Sequence, residues 1–245
     1  MITQTLLPFF ARIAPGYVVG LAALIAIPRQ RSELRLAVYI LLFVLFRDAM
    51  TPVGFWSISH SGSVRFTHDP VVLVDIGLFA FASVFVINAF EPDLAKVLVW
   101  VKGKAHWAAV AGVLGAGLIV GPIWLFRQYL VPEVPLPVAT LAELGPLLTL
   151  CLAGNFLEEV LFRGYFQGIV EKTTTPARAA IASGLFFALC HSFLAVTVTN
   201  VGAPLLAFTW FEGTVAGFVR MRFGVLAATL THGLAVFALA AGVAG

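Results

Sequence analysis

Two adjacent carboxylates and an arginine stand where charge is costly. Glu158, Glu159 and Arg163 lie in the stretch Asn155-Phe156-Leu157-Glu158-Glu159-Val160-Leu161-Phe162-Arg163, inside an apolar segment. A charged side chain at membrane depth costs about 2.5 kcal/mol or more, so such groups mark sites by default. Neighbouring helical residues point about 100° apart, so the two glutamates serve different partners. Glu159 and Arg163 are four apart, the order and spacing of an ion pair along a helix. That leaves Glu158 as the free carboxylate, suited to general-base work on a water molecule. Asn155, three residues earlier, shares its face.

Two histidines offer partners. His191 follows Phe187 by four residues on one apolar segment, and His232 lies on another. A lone buried histidine is usually structural; two on separate segments beside a glutamate pair favour a site. Helix rise places them at compatible depth: His232 about 12 Å from the turn at Gly224, His191 about 20 Å from Arg178, Glu158 at most about 21 Å from Lys172. The other polar residues within apolar segments, Asp75, Glu143 and Glu212, read first as structural hydrogen-bonding groups, with support of the site or a substrate contact as the alternatives. His60, His68 and His106 read as loop or interface residues.

The elements that must position these groups are membrane helices. Hydrophobic residues make up 60% of the 245, charged residues 11%, and mean hydropathy is +1.00. Soluble domains carry about 25% charged residues, and a soluble chain would show charge on every helix. The expected fold is all-α, a polytopic membrane bundle of about eight transmembrane helices. Their approximate ranges are 6–27, 34–54, 70–90, 106–127, 139–170, 178–198, 203–219 and 224–243. The second is the weakest, because Arg47 and Asp48 directly follow its apolar run from Leu36 to Phe46. The fifth is longer than a bilayer requires and extends past Gly164. The first lacks a basic leader region and reads as a retained helix.

Basic residues alternate between connections, rich after the first, third, fifth and seventh segments, as the positive-inside rule requires of an even count. They account for the net charge of +3, and no basic stripe with interleaved aromatics suggests nucleic acid. Cys151 and Cys190 fall within segments and read as small core residues. Gly16/Gly20, Gly117/Gly121 and Gly213/Gly217 are small-residue pairs that allow close helix approach.

Taken together, Glu158-Glu159-x-x-x-Arg163, Phe187-x-x-x-His191 and His232 on a last helix resemble the CPBP family. These are the CAAX-protease and bacteriocin-processing intramembrane proteases, also called Abi or type II CAAX endopeptidases. The resemblance covers about residues 138–240. It divides the chain into accessory helices (1–137) and a catalytic core (138–245). It implies an endopeptidase cleaving a peptide or membrane-anchored protein near the membrane surface. Glu158, His191 and His232 would be catalytic; Glu159, Arg163, Asn155 and Phe187 would orient them. One position departs: the family's last motif usually has Asn or Asp four residues after the histidine, where this chain has Val236. Asn155, Arg163 or a backbone N–H is left to hold the oxyanion.

No cofactor is expected in the leading reading. A zinc-dependent version, with Glu158, His191 and His232 as ligands, fits the same residue types. A non-catalytic immunity or chaperone-like membrane protein is the rival that Val236 favours. A proton-coupled transporter would use the same groups as a relay, although no inverted repeat supports it. Eleven arginines against four lysines in an Ala/Gly/Val-rich chain suggest a bacterial inner membrane, with peptide substrates favoured over prenylated ones.

Overall fold

The computed structural model describes residues 2–58, 64–130, 138–193, 195–196 and 202–242. His60 and the prolines at 132, 135 and 137 lie outside them. Each of the eight predicted segments is helical: α1 (Ile2–Ala26), α2 (Ser32–Met50), α3 (Pro70–Phe90), α5 (Ala105–Leu130), α6 (Leu141–Glu159), α8 (Pro176–Cys190), α9 (Ala203–Phe223) and α10 (Val225–Ala240). Short helices α4 (Pro92–Ala95) and α7 (Gln167–Val170) follow α3 and α6. A hairpin of β1 (Trp56–Ile58) and antiparallel β2 (Val64–Phe66) pairs Trp56 with Phe66. No alternating apolar pattern of useful length announces these three-residue strands.

The helices begin where local chemistry starts them. The Asp69 carboxylate accepts from the Val71 and Val72 amides, and Pro70 opens α3. Thr175 accepts from the Arg178 amide, and Pro176 opens α8. At α6 the Glu143 carboxylate accepts from the Thr140 amide and hydroxyl, both at 2.8 Å. These contacts satisfy amides that a helix start leaves unpaired. Glu143 is therefore a cap residue, as its structural assignment anticipated, and His68 contacts it at 2.5 Å.

Among the described residues, four helical stretches are long and apolar enough to cross a membrane by themselves: Leu6–Ala26, Pro70–Phe90, Ala105–Phe126 and Leu141–Val170. The chain is an integral membrane protein with an all-α bundle. The other four predicted segments miss that standard for visible reasons. Helices α2 and α9 carry charge, including Arg35, Arg47 and Asp48 on the first and Glu212, Arg220 and Arg222 on the second. Helices α8 and α10 have 15 and 16 residues, about 22–24 Å of rise against a core of about 30 Å. Within the predicted range 178–198 the regular helix α8 runs to Cys190, with His191 at its C-cap (φ −102°, ψ 14°), and the described residues 192–193 and 195–196 are again helical.

The bundle packs α8 along α9, α3 along α6, and α10 against both α5 and α6. Glycines set the closest seam. A Cβ on Gly184 would lie 2.4 Å from Thr214 Oγ1 and 2.7 Å from its amide nitrogen. One on Gly217 would lie 3.0 Å from the Ala180 carbonyl oxygen. Gly16 and Gly20 face leucines of α2, as expected. Gly117 and Gly121 do not mark a seam, for a Cβ on either would meet nothing within 4 Å. On α5 that task falls to Gly112 and Gly115, which face Leu230 and Thr231 of α10. Gly184→Ala is expected to destabilise the bundle by about 1–3 kcal/mol, the usual range for overpacking, because backbone and not a flexible tip blocks the methyl. Thermal aggregation of the purified protein checks this, with Gly117→Ala unchanged as the control.

Beyond Glu159 the helix changes pitch. Val160–Phe166 form a π-helical segment before α7 resumes α-helical bonding. Such bulges are rare and cluster at functional sites. Here neighbours brace it: the Ser183 hydroxyl donates to the Phe162 carbonyl at 2.9 Å, and the Gln167 side-chain amide donates to the Gly217 carbonyl at 3.1 Å. The segment predicted over 139–170 is thus one continuous rod, Leu141–Val170, with a change of pitch inside it.

Candidate active site

The groups singled out from sequence converge where α6, α8, α9 and α10 meet, but they sort into two sets. Glu158 is fully enclosed, at 1% exposure. One of its oxygens lies 3.2 Å from Arg47 Nε, the other 3.6 Å from His191 Nε2. Neither oxygen accepts a hydrogen bond, and Arg47 Nε and His191 Nε2 donate none. Buried polar atoms left this way are uncommon and demand a reason.

The second set is hydrogen-bonded at its centre, although Glu159 Oε2 and two Arg163 nitrogens have no hydrogen-bond partner. Glu159 Oε1 accepts from Arg163 Nη1 and His232 Nδ1, both at 2.9 Å. The predicted Glu159–Arg163 pair therefore forms, with both side chains fully buried. The far nitrogen of His232, Nε2, lies 3.7 Å from Glu212 Oε1. His232 was expected beside Glu158; among the described residues it makes its ion-pair contacts with Glu159 and Glu212 instead. The reason is angular: consecutive carboxylates leave the helix in different directions, and α10 faces the second one.

Aromatic rings position the bases. The His191 ring stacks on Phe187 with centroids 4.1 Å apart, and Phe43, Phe162 and Phe193 surround it at 5.8–6.2 Å. Its Nδ1–H donates to the Phe187 carbonyl at 2.8 Å. That bond leaves Nε2 as the free lone pair of the neutral ring, turned to Glu158. Phe187 also carries the Arg163 guanidinium over its ring at 4.1 Å and meets His232 edge-on at 5.4 Å. One phenylalanine thus orders groups from three helices, consistent with its expected orienting part. The i, i+4 spacing from Phe187 to His191 was its only sequence signal.

Asn155 is buried on the same rod, and its side-chain amide donates to the Cys151 carbonyl at 2.7 Å. Val236 packs in an apolar cluster with Leu147 and Cys151. Asn155 thus gives one amide N–H to its own helix, and Val236 brings no polarity. Both cysteines are free thiols.

One site residue escapes sequence reading: Arg47 reads as the end of a weak span, and its place after a clean apolar run is the available signal. Glu212, for which the sequence favours a structural role but leaves a part beside the site open, is buried with its carboxylate 3.7 Å from His232. Asp75 sits on an exposed face of α3, outside the site, and His106 is exposed beside Trp107.

The alternative zinc set, Glu158, His191 and His232, is divided between the two sets described. Among the described residues, no three His, Cys, Asp or Glu side chains form a group able to hold a metal ion.

Comparison with known families closes the account of this site. Residues 140–238 match the family described as type II CAAX prenyl endopeptidase Rce1-like. No curated protein and no solved structure matches the chain. The matched stretch runs from the cap of α6 into α10 and contains every site residue except Arg47. Over residues 140–238 the chain is thus similar to the Rce1-like type II CAAX prenyl endopeptidases, membrane proteases of the CPBP type.

Proposed function

We propose that the protein is an intramembrane endopeptidase that hydrolyses a peptide bond of a membrane-associated substrate with a glutamate-activated water. One observation carries this reading: Glu158 is buried, ionisable and unsatisfied at both oxygens, facing an imidazole nitrogen at 3.6 Å. Polar atoms at that separation suit a bridging water, which the site would take from an aqueous access path, since lipid supplies none. Glu158 removes a proton from the water as its oxygen bonds to the carbonyl carbon. The carbonyl π electrons move to oxygen, and the tetrahedral intermediate expels the amine. Glu158 returns the proton to the leaving nitrogen, so one water is consumed and the base is regenerated. His191 holds the water through Nε2, its ring fixed by Phe187. The Arg163–Glu159–His232–Glu212 row supports the geometry from the adjoining face.

Substrates of this site are membrane-anchored or membrane-associated peptides, prenylated C-termini being the class the family name implies. The division of Glu158, His191 and His232, which among the described residues form no common ligand group, supports a metal-free site. The purified chain should therefore keep full cleavage of a fluorogenic, prenylated CAAX peptide after o-phenanthroline treatment. Loss of cleavage, restored by zinc, would establish the metallopeptidase alternative instead. Cleavage that persists in Glu158→Gln would remove the mechanism, and no cleavage by the native chain would favour a non-catalytic role.

A further inference from the structure

The proposed chemistry creates a negative charge on the scissile carbonyl oxygen, and some donor must meet it. Among the described residues, the side-chain donors singled out around Glu158 can be followed one by one. His191 donates through Nδ1 to Phe187, and Asn155 gives one of its two amide N–H groups to Cys151. His232 donates through Nδ1 to Glu159, and Arg163 Nη1 does the same. Val236 has nothing to donate. Arg163 keeps two unpartnered nitrogens, but the side chain is fully buried beneath Phe187 and paired to the other glutamate. A Cβ on Gly213 would lie 2.8 Å from its Nη2, so that end faces α9 and not Glu158.

Arg47 differs on each count. It comes from α2, outside the family segment, and its Nε stands 3.2 Å from Glu158 with no hydrogen bond made. Its side chain keeps 12% exposure, so it is not sealed away as Arg163 is. The guanidinium lies over the Trp56 indole, 5.3 Å from the ring centroid, which fixes its direction. A cation stacked on tryptophan is held by its ring quadrupole. A water poised on Glu158 sits about 3 Å from the carboxylate and from the carbon it attacks. The carbonyl oxygen is then within reach of the same guanidinium.

We infer that Arg47 is a catalytic residue that donates hydrogen bonds to the oxyanion of the tetrahedral intermediate, supplying from the N-terminal helices what Val236 lacks. This rests on the peptidase reading of Glu158. As water attacks, the carbonyl becomes an alkoxide that accepts from the Arg47 N–H groups. When the C–N bond breaks, the electrons return to the C=O and the contact relaxes. The stacking on Trp56 gives the β-hairpin a purpose: it holds the guanidinium in place before the charge appears.

The test uses the full chain in nanodiscs with the fluorogenic prenylated CAAX peptide. Removing one oxyanion donor typically costs about 10²–10³-fold in kcat. Arg47→Ala should lose that much, with KM changed less than a few-fold and the acid limb of the pH–rate profile unmoved. Added guanidinium should restore at least about tenfold of the loss, and Arg47→Lys, which keeps the charge but not the fork, should fall between. If the loss vanishes at high pH, Arg47 merely balances the charge of Glu158 and the inference is overturned. A rise in KM alone overturns it as well, by making Arg47 a binding residue. If Arg47→Ala does not fold, Arg47→Lys decides: kcat within about twofold of native refutes a role for the guanidinium geometry. Loss of activity in Glu158→Gln with full activity in Arg47→Ala would sink this inference alone. Native activity in both would sink the peptidase site with it.

Discussion

Glu158→Gln is expected to reduce peptide turnover by about 10²–10⁴-fold, the range that a positioned general base supplies. The substitution keeps the shape of the side chain and removes the ability to accept a proton. Folding should be largely preserved, because glutamine keeps the shape of the side chain and Arg47, the ion-pair partner of Glu158, retains 12% exposure and so is not stranded in a sealed interior. Detergent gel filtration and thermal aggregation should match the native chain while kcat collapses. Substrate affinity should survive, which makes this variant a trap for the natural peptide. A structural role for Glu158 would give the opposite pattern, with loss of folded protein and residual turnover in whatever remained.

Arg163→Met should act on stability. Breaking a buried ion pair by removing one partner costs about 3–5 kcal/mol, because the other charge stays buried and uncompensated. Arg163 and Glu159 are both fully enclosed, and the guanidinium also fills the space beneath Phe187. Against domain stabilities of about 5–15 kcal/mol this is a large fraction. The expected result is a marked fall in thermal aggregation temperature and in yield from the membrane. Glu159→Gln combined with Arg163→Met should be less damaging than the single change at 163, since no net charge is stranded. A double-mutant cycle measures that coupling. Equal damage from the single and the double would show that Arg163 acts through packing on Phe187 alone.

Much of the site was legible because its residues break the rules of their surroundings. Carboxylates and histidines in apolar helices announce themselves by cost, and the i, i+4 relation between Glu159 and Arg163 follows from helix geometry alone. The same reasoning failed at Arg47, because a charge at the end of an apolar run looks like the end of a span. At Glu212 it left the role open, because one carboxylate on a helix has no local partner to betray its task. Both needed a neighbour from a distant part of the chain. Arg47 meets Glu158 across 111 positions of sequence, and His232 meets Glu159 across 73.

By itself, the sequence determined the membrane setting, the all-α class, the helical segments and the list of polar groups at depth. These follow from local quantities: hydropathy, helix period and the cost of burying charge. Only the tertiary structure decided how the list divides. It gave His191 to Glu158 and His232 to Glu159, and added Arg47 from the N-terminal helices. Direction is the physical reason. Helix period says that Glu158 and Glu159 diverge by about 100°, but which helix fills each direction depends on packing. That packing is set by close contacts such as Gly184 on Thr214 and Gly217 on Ala180, which no local pattern encodes.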